Sequence, residues 1–459
     1  MTTLYDFQIK TIDLLREKIS QGKKRIIIVL PTGAGKTTIA SEIIRLSKSN
    51  GKKILFMAHR QELVYQAHER LAQFGIDAGI IMPPHKANGH NVHVASVQTL
   101  VRRQHPPADI VFVDETHHIN SASYKRILEN YKNAFVFGLT ATPFRSDGKP
   151  LGEIFEDIIA PVSVQELIDQ NFLVRPRYFG AKQDFSDIKI VRGDYDNKQL
   201  FEKVDKKILY DGVVEKFKQF GHGKTLVFCV NVQHSKNTCE TFSNAGFAAA
   251  HLDADTDTPT RQRVLKEFAE GKWQILCNVA ILTEGFNLPT INTIVLNRAT
   301  KSKGLYFQIV GRGLRTAEGK ENCIIIDHGN NVFEHGPVEA DQDYDIHQKK
   351  KKKKSTSTVQ DQVKECPICF SLIGKRTQIC YHCGYQFPPS HKIVESEFEE
   401  IKIKKVVIPK HLRKPWSQMT DEELEEYRAL KGYKKGWIWH QKQLREKNLE
   451  GTTHGRFRN

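Results

Sequence analysis

The sequence predicts an α/β chain in which two doubly wound parallel-sheet lobes precede a small cysteine module and a basic tail containing a helix. Three observations carry this expectation. Short β-rich runs alternate with helical patterns, the alternation restarts after a less periodic stretch, and two close cysteine pairs follow a run of six lysines. Alternation of this kind suits a parallel sheet covered by helices on both faces, because each parallel strand needs a crossover before the next.

The first lobe is expected over residues 1–160. Its strand candidates are RIIIVL at 25–30, KILFMA at 53–58, VHVAS at 92–96, IVFVD at 110–114 and FVFGLT at 135–140. Residues 161–205 are less periodic and are expected to connect the lobes. A second series follows, with TLVFCV at 225–230, QILCN at 274–278, TIVLN at 293–297 and CIIID at 323–327, and it places the second lobe at 206–340. From 341 to 363, the lysines 349–354 and the polar STSTVQDQ carry too little apolar content to fold and are expected to form a basic linker. A cysteine module at 364–388 and a tail at 389–459 complete the chain. Within the tail, Thr420 ahead of DEELEEYRALK reads as a capped helix with acids in its first turn.

A length of 459 residues with 39% apolar content supports two or three domains with cores of their own. Lysine and arginine outnumber aspartate and glutamate 69 to 53, and the net charge of +16 suits a polyanionic partner, nucleic acid first. Much of the excess lies after residue 340, where 25 basic side chains stand against 16 acidic ones. No run approaches the roughly 18 apolar residues of a membrane span, and MTTLYDFQIK lacks the apolar core of a signal peptide. The expectation is therefore no membrane partner and an intracellular location: bacterial or phage-infected cytoplasm first, nucleus or organelle if eukaryotic. Cys229, Cys239, Cys277 and Cys323 lie scattered in apolar segments, which argues against a disulfide framework.

The segment LPTGAGKTT follows the strand RIIIVL directly and opens the helical pattern TTIASEIIRL. Small residues there let backbone amides turn inward on phosphate oxygens, and the helix N-terminus adds partial positive charge. Thr32, Gly33, Ala34, Gly35, Lys36, Thr37 and Thr38 are accordingly the candidates for holding ATP. Lys36 would neutralise the β and γ phosphates and the Thr37 hydroxyl would hold Mg2+. Leu30 stands where the strict pattern has glycine, so the match rests on GAGKT. Further on, VFVDETHH ends a buried strand in Asp114 and Glu115. The end of a parallel strand brings such acids beside the phosphate loop, where Asp114 can hold the metal and Glu115 can take a proton from water.

These motifs resemble those of superfamily 2 helicases of the DEAD/DEAH-box type, in the same order and across residues 4–335. LPTGAGKT resembles motif I, AHRQELVYQ at 58–66 motif Ia, SVQTL at 96–100 motif Ib, DETH at 114–117 motif II and GLTATP at 138–143 motif III. ILTEGFNLP at 281–289 resembles motif V and QIVGRGLR at 308–315 motif VI. NVAILTEGF, LYFQIVGRGLR and CIIID look most like the RadD group of DNA-repair helicases, which also carry cysteine modules after the motor. The resemblance implies RecA-like lobes, with Arg312 and Arg315 as fingers on the γ-phosphate and Gln308 reaching the same phosphate or the attacking water. It implies coupling through His117, Thr140 and Thr142, adenine contact by Gln8, and nucleic-acid contacts by Arg60, Gln61, Gln98, Thr99 and Thr283. Two positions depart from the family pattern. Tyr5 stands where an arginine often precedes motif I, and Asn287 replaces the usual aspartate of motif V.

CPIC at 366–369 and CYHC at 380–383 place Cys366, Cys369, Cys380 and Cys383 at a spacing that lets four thiolates close around one structural Zn2+, with His382 as an alternative ligand. Lys375 and Arg376 in its loop mildly favour nucleic acid. Tyr433, Trp437 and Trp439 interleave with bases near the C-terminus, which suits either stacking on nucleobases or packing of a helix against the motor. The expected function is an ATP-dependent DNA helicase or translocase of repair, recombination or replication, on single-stranded or forked DNA. Repair or recombination proteins could dock on the ribbon and tail. An RNA helicase, or a nucleotide-switched scaffold without unwinding, is the alternative.

Overall fold

The computed structural model describes residues 4–85, 89–116, 119, 122–144, 150–191, 193–283, 288–342, 344–346, 363–387, 409–412, 414, 418–431, 437–438 and 442. The chain divides into two compact units, Met1–Pro389 and Ser390–Asn459.

In the first unit, the strands β1 (Arg25–Val29), β2 (Ile54–Ala58), β3 (Gly79–Ile81), β4 (Val92–Ser96), β5 (Ile110–Asp114), β6 (Phe135–Thr140) and β7 (Asp157–Ile159) build a sheet in the order β3-β4-β2-β5-β6-β1-β7. All its pairings are parallel. Helices α1 (Asp6–Ser20), α2 (Lys36–Ser49), α3 (Gln61–Gln73), α4 (Val97–Leu100) and α5 (Ala122–Leu128) belong to the same lobe. The unbroken apolar runs have a direct cause: Ile26 and Ile28 pack into one core and Ile27 and Val29 into another, so both faces of β1 are covered.

After α6 (Val164–Asp169) comes β8 (Arg175–Gly180), then the hairpin β9 (Ile190–Val191) and β10 (Asp194–Tyr195), then α7 (Asn197–Val204) and α8 (Lys207–Phe220). The second lobe continues through β11 (Lys224–Cys229), α9 (Val232–Asn244), β12 (Ala249–Leu252), α10 (Thr258–Glu270), β13 (Ile275–Asn278), β14 (Ile291–Asn297), α11 (Lys303–Gly313), β15 (Asn322–Asp327) and α12 (Asn331–His335). β16 (Val363–Glu365) and β17 (Leu372–Gly374) complete an eight-stranded sheet in the order β12-β13-β11-β14-β15-β8-β17-β16.

This order changes three expectations about organisation. Residues 161–205 do more than connect, because β8 pairs in parallel along the whole of β15. The cysteine module extends the second sheet, with Leu372 of β17 opposite Tyr178 of β8 in antiparallel pairing. An edge strand offers unpaired amides and carbonyls, and the ribbon hairpin covers that edge. The start of the expected linker is also anchored: Ile346 is buried in the first lobe's core, its carbonyl accepts from Gly152 N at 2.8 Å, and Tyr344 packs on Phe144. The lysines 349–354 lie outside the described residues.

In the second unit, α13 (Asp421–Lys431) begins with the predicted cap. Thr420 N donates to Glu423 Oε2 at 2.6 Å and Glu423 N to Thr420 Oγ1 at 3.2 Å. Leu412, Met419 and Leu424 form its small core, and Trp437 packs there, stacked on Tyr427. Trp437 thus packs on the tail's own helix; Tyr433 and Trp439 lie outside the described residues. Among the described residues no helix is long and apolar enough to cross a membrane.

Candidate active site

β1 runs out into buried Leu30, whose amide donates to Thr140 O at 3.0 Å. The glycine of the strict motif is thus replaced by a core side chain and the turn begins one step later. Gly33 and Gly35 have φ of 93° and 79°, a region costly for residues with a Cβ, and Gly35 is the N-cap of α2. No side chain caps that helix, and its first turn carries no acid, so its leading amides and Lys36 present a cradle suited to phosphate.

Two neighbours brace the loop. Gln8 is buried, its Nε2 donates to Ala34 O at 3.3 Å, and its Oε1 accepts from Tyr5 N at 3.1 Å. Both ends of Gln8 thus touch the protein, and it acts here as a strut for the loop. Arg70 of α3 donates to Thr38 Oγ1 at 2.8 Å, so that hydroxyl ties α2 to α3.

Asp114 closes β5, and its Oδ1 accepts from Glu115 N at 3.0 Å. Burial first, and then the Glu115 carboxylate, push its carboxyl up to about 7, while Lys36 pulls the other way. Glu115 is buried and has φ of 48°, a strained conformation for a side chain of this size and one common at functional sites. Thr116 Oγ1 lies within bonding distance of Val113 O and Leu139 O, at 3.1 and 3.0 Å, and so pins this turn to β6. In the next motif Thr140 Oγ1 donates to Thr142 O at 2.9 Å and lies 3.0 Å from Thr142 N, and both threonines are buried. His117 lies outside the described residues.

The second lobe supplies α11, capped by Ser302 and buried without interruption from Tyr306 to Gly313. A Cβ added to Gly311 would lie 2.7 Å from Thr32 Cβ, and one added to Gly304 would lie 3.2 Å from Thr142 Oγ1. The helix therefore rests directly on the phosphate loop and on the Thr140–Thr142 turn. Gln308 and Arg312 are buried on it, and Arg312 donates through Nε and Nη2 to Thr283 O at 3.0 and 2.6 Å. Arg315 follows the helix, with its Cγ 3.4 Å from where a Cβ on Gly33 would stand. Burial, then Arg312, lower its pKa to about 9.

Arg60 and Gln61 open α3, while Gln98 and Thr99 lie on α4. These follow the C-terminal ends of the neighbouring strands β2 and β4, and Gln98 Nε2 joins the two by donating to His59 O at 2.6 Å. Thr283 does not share that surface. It is buried, its hydroxyl donates to Ala280 O at 2.7 Å, and its carbonyl holds Arg312. Sequence reading also missed Arg261, whose Nη1 lies 3.9 Å from Glu62 Oε1 across the two lobes, and Lys320, which bonds three carbonyls near α11. No motif marks an arginine in an ordinary helix or a lysine in a turn.

In the ribbon the four cysteine sulfurs all lie within 4.8 Å of one another, with Cys366 to Cys383 at 3.5 Å and Cys369 to Cys380 at 3.7 Å. Four thiolates at about 2.3 Å from one ion stand about 3.8 Å apart, so the set fits tetrahedral zinc. His382 is not among the clustered ligands, and Lys375 and Arg376 are exposed.

Residues 1–145 match the family described as type III restriction enzyme, res subunit, and residues 206–317 the helicase conserved C-terminal domain. A 51.5 kDa protein of a Lactococcus phage (isolate 7-9) is 30% identical over 385 residues, covering 83% of each chain. The chain belongs to the superfamily 2 helicases. A Saccharomyces cerevisiae protein, IRC3, described as an ATP-dependent helicase, is 32% identical over 351 residues, 71% of this chain but 51% of that protein. This helicase thus spans about half the length of that relative. A Sulfurisphaera tokodaii relative named DNA 3'-5' translocase XPB2 is 24% identical over 355 residues, covering 66% of this chain and 77% of that one. For a superfamily 2 helicase, an ATP-dependent motor on nucleic acid, a cleft shared by two lobes is the expected catalytic place.

Proposed function

We propose that this helicase hydrolyses ATP between its lobes and uses the resulting lobe motion to travel on DNA, in repair, recombination or replication inside the cell. The observation that carries the reading is the seating of α11 on the phosphate loop, with Gly311 against Thr32 and Arg315 beside Gly33. Bound Mg2+ would neutralise the β and γ phosphates, and the Thr37 hydroxyl and Asp114 carboxylate are the groups to hold it. Lys36 and the amides of Gly33 to Thr38 orient the phosphates. Glu115 takes the proton of the attacking water, and Gln308, Arg312 and Arg315 meet the charge that develops on the γ-phosphate. Loss of that phosphate removes what the second lobe's arginines grip, and the lobes can part.

The +16 charge suits a nucleic acid, the translocase relative favours DNA, and Arg60, Gln61, Gln98 and Thr99 form the candidate phosphate-reading edge. A RadD-like repair role rests on the motif resemblance. Zinc held by the four cysteines would make the ribbon a rigid extension of the second sheet and a docking place for DNA or repair proteins. The test is ATP turnover with single-stranded, duplex and forked DNA and with RNA, beside Lys36→Ala and Glu115→Gln. Stimulation by DNA and silence of both variants is expected. Stimulation by RNA alone would replace DNA with RNA as the track, turnover in Glu115→Gln equal to the parent would remove Glu115 as the base, and a parent that binds ATP without turning it over would be a nucleotide-switched scaffold.

A further inference from the structure

Past α11 the chain folds back through a turn in which Lys320 N donates to Ala317 O at 3.1 Å, with Gly319 at φ 70°. The turn sends the Lys320 side chain inward. Its ammonium donates to Gly313 O at 2.7 Å, Arg315 O at 2.8 Å and Pro289 O at 2.9 Å. An ammonium has three donors, and all three have main-chain acceptors here. Gly313 and Arg315 lie at the end of α11, where carbonyls lack intrahelical amides. Pro289 closes the segment that begins near Ala280 and contains Thr283, whose carbonyl receives Arg312. One ammonium therefore fixes the backbone that bears Arg315, on the far side of the α11 end from Arg312, and joins it to Pro289.

We propose that Lys320 is a positioning residue: it locks the backbone that bears Arg315 and ties the segment ending at Pro289 to ATP turnover. This rests on the assignment of Arg312 and Arg315 to the γ-phosphate. A lysine serving only solubility would extend into water and would not gather carbonyls from two segments of the chain. The charged and titratable groups around it are the Cys323 thiol on β15, which favours its charge, and the Arg315 guanidinium, which opposes it. Glu318 and Glu321 flank it in the exposed turn. Burial lowers its pKa to about 8, so the third donor is present below that pH and is lost as pH rises through it.

The test compares Lys320→Met, which keeps the stem and removes the donors, with Lys320→Arg, each alone and combined with Arg315→Ala. DNA-stimulated kcat, KM for ATP, binding of a fluorescent ATP analogue and the pH profile are measured on the full chain. Lys320→Met should lower kcat by about ten- to a hundredfold, leave analogue binding within about twofold, and add little to Arg315→Ala. The parent's kcat should decline as pH rises through about 8, and Lys320→Met should lack that limb. Lys320→Arg, which keeps the charge, should recover part of the loss. An unchanged kcat, a loss fully additive with Arg315→Ala, or a loss of analogue binding equal to the loss of kcat would overturn the proposal. Normal turnover in both Arg312→Ala and Arg315→Ala would instead overturn the finger assignment itself, whatever Lys320→Met does.

Discussion

The first lobe presents to the cleft the loop between β1 and α2 and the acidic end of β5, whereas the second lobe presents the flank of helix α11. In the first, phosphate-facing groups sit within a few residues of a strand end, and two left-handed glycines set the turn. In the second, Arg312 is buried on a helix and Arg315 lies just beyond it, and their posture depends on the Thr283 carbonyl that Arg312 grips and on the Gly313 and Arg315 carbonyls that Lys320 engages. The lesson is one of division of labour: the first half should bind nucleotide with the lobes apart, and the second should matter only when they meet.

The sharpest break of this contrast is Lys36→Ala against Arg315→Ala. The first should lose nucleotide binding and nearly all turnover, while the second should keep analogue binding and lose about 10³-fold in kcat. Equal loss of nucleotide affinity in both, measured by titration of the analogue, would erase the distinction. Next is Gly311→Val, whose Cβ alone would lie 2.7 Å from Thr32 Cβ. It should cut turnover by about ten- to a hundredfold by holding the lobes apart, with unfolding of each lobe by heat little changed; a matching drop in lobe stability would mean the glycine serves the helix itself.

A third comparison uses pH. The Asp114 carboxyl, raised to about 7, must ionise to hold a cation, so turnover at limiting Mg2+ should climb as pH rises through about 7 and the limb should shift lower as Mg2+ is added. The stability effect has the opposite sign. Because the folded state holds this proton more tightly than the unfolded one, the Mg2+-free protein should lose stability as pH rises from about 4 to about 7, and Asp114→Asn should flatten that slope. Thermal midpoints across pH decide it. The smallest effect on turnover is expected from zinc chelation or Cys380→Ser: amide exchange should quicken at β17 and β8 and stay slow at β1, since only the second sheet is edged by the ribbon.

Two sheets, nine of their strands, the phosphate loop, the paired acids, the capped tail helix and the cysteine cluster were legible in the sequence, whereas β3, β7, β8 and β12 were not. These features are local: they need particular residue types at short spacings, such as glycine at positive φ, a lysine after it, or two CxxC pairs. Leu30 shows the limit even there, since only its burial explains why the missing glycine does no harm. The tertiary structure alone decided that Gln8 braces the loop, that Thr283 holds Arg312, that Ile346 returns to the first lobe and that the ribbon completes the second lobe's sheet. Each of these, apart from the burial of Ile346, is made largely by main-chain amides and carbonyls, which every residue carries in nearly the same form. Their partners are chosen by how the chain is folded back, and the identities of the side chains do not announce them.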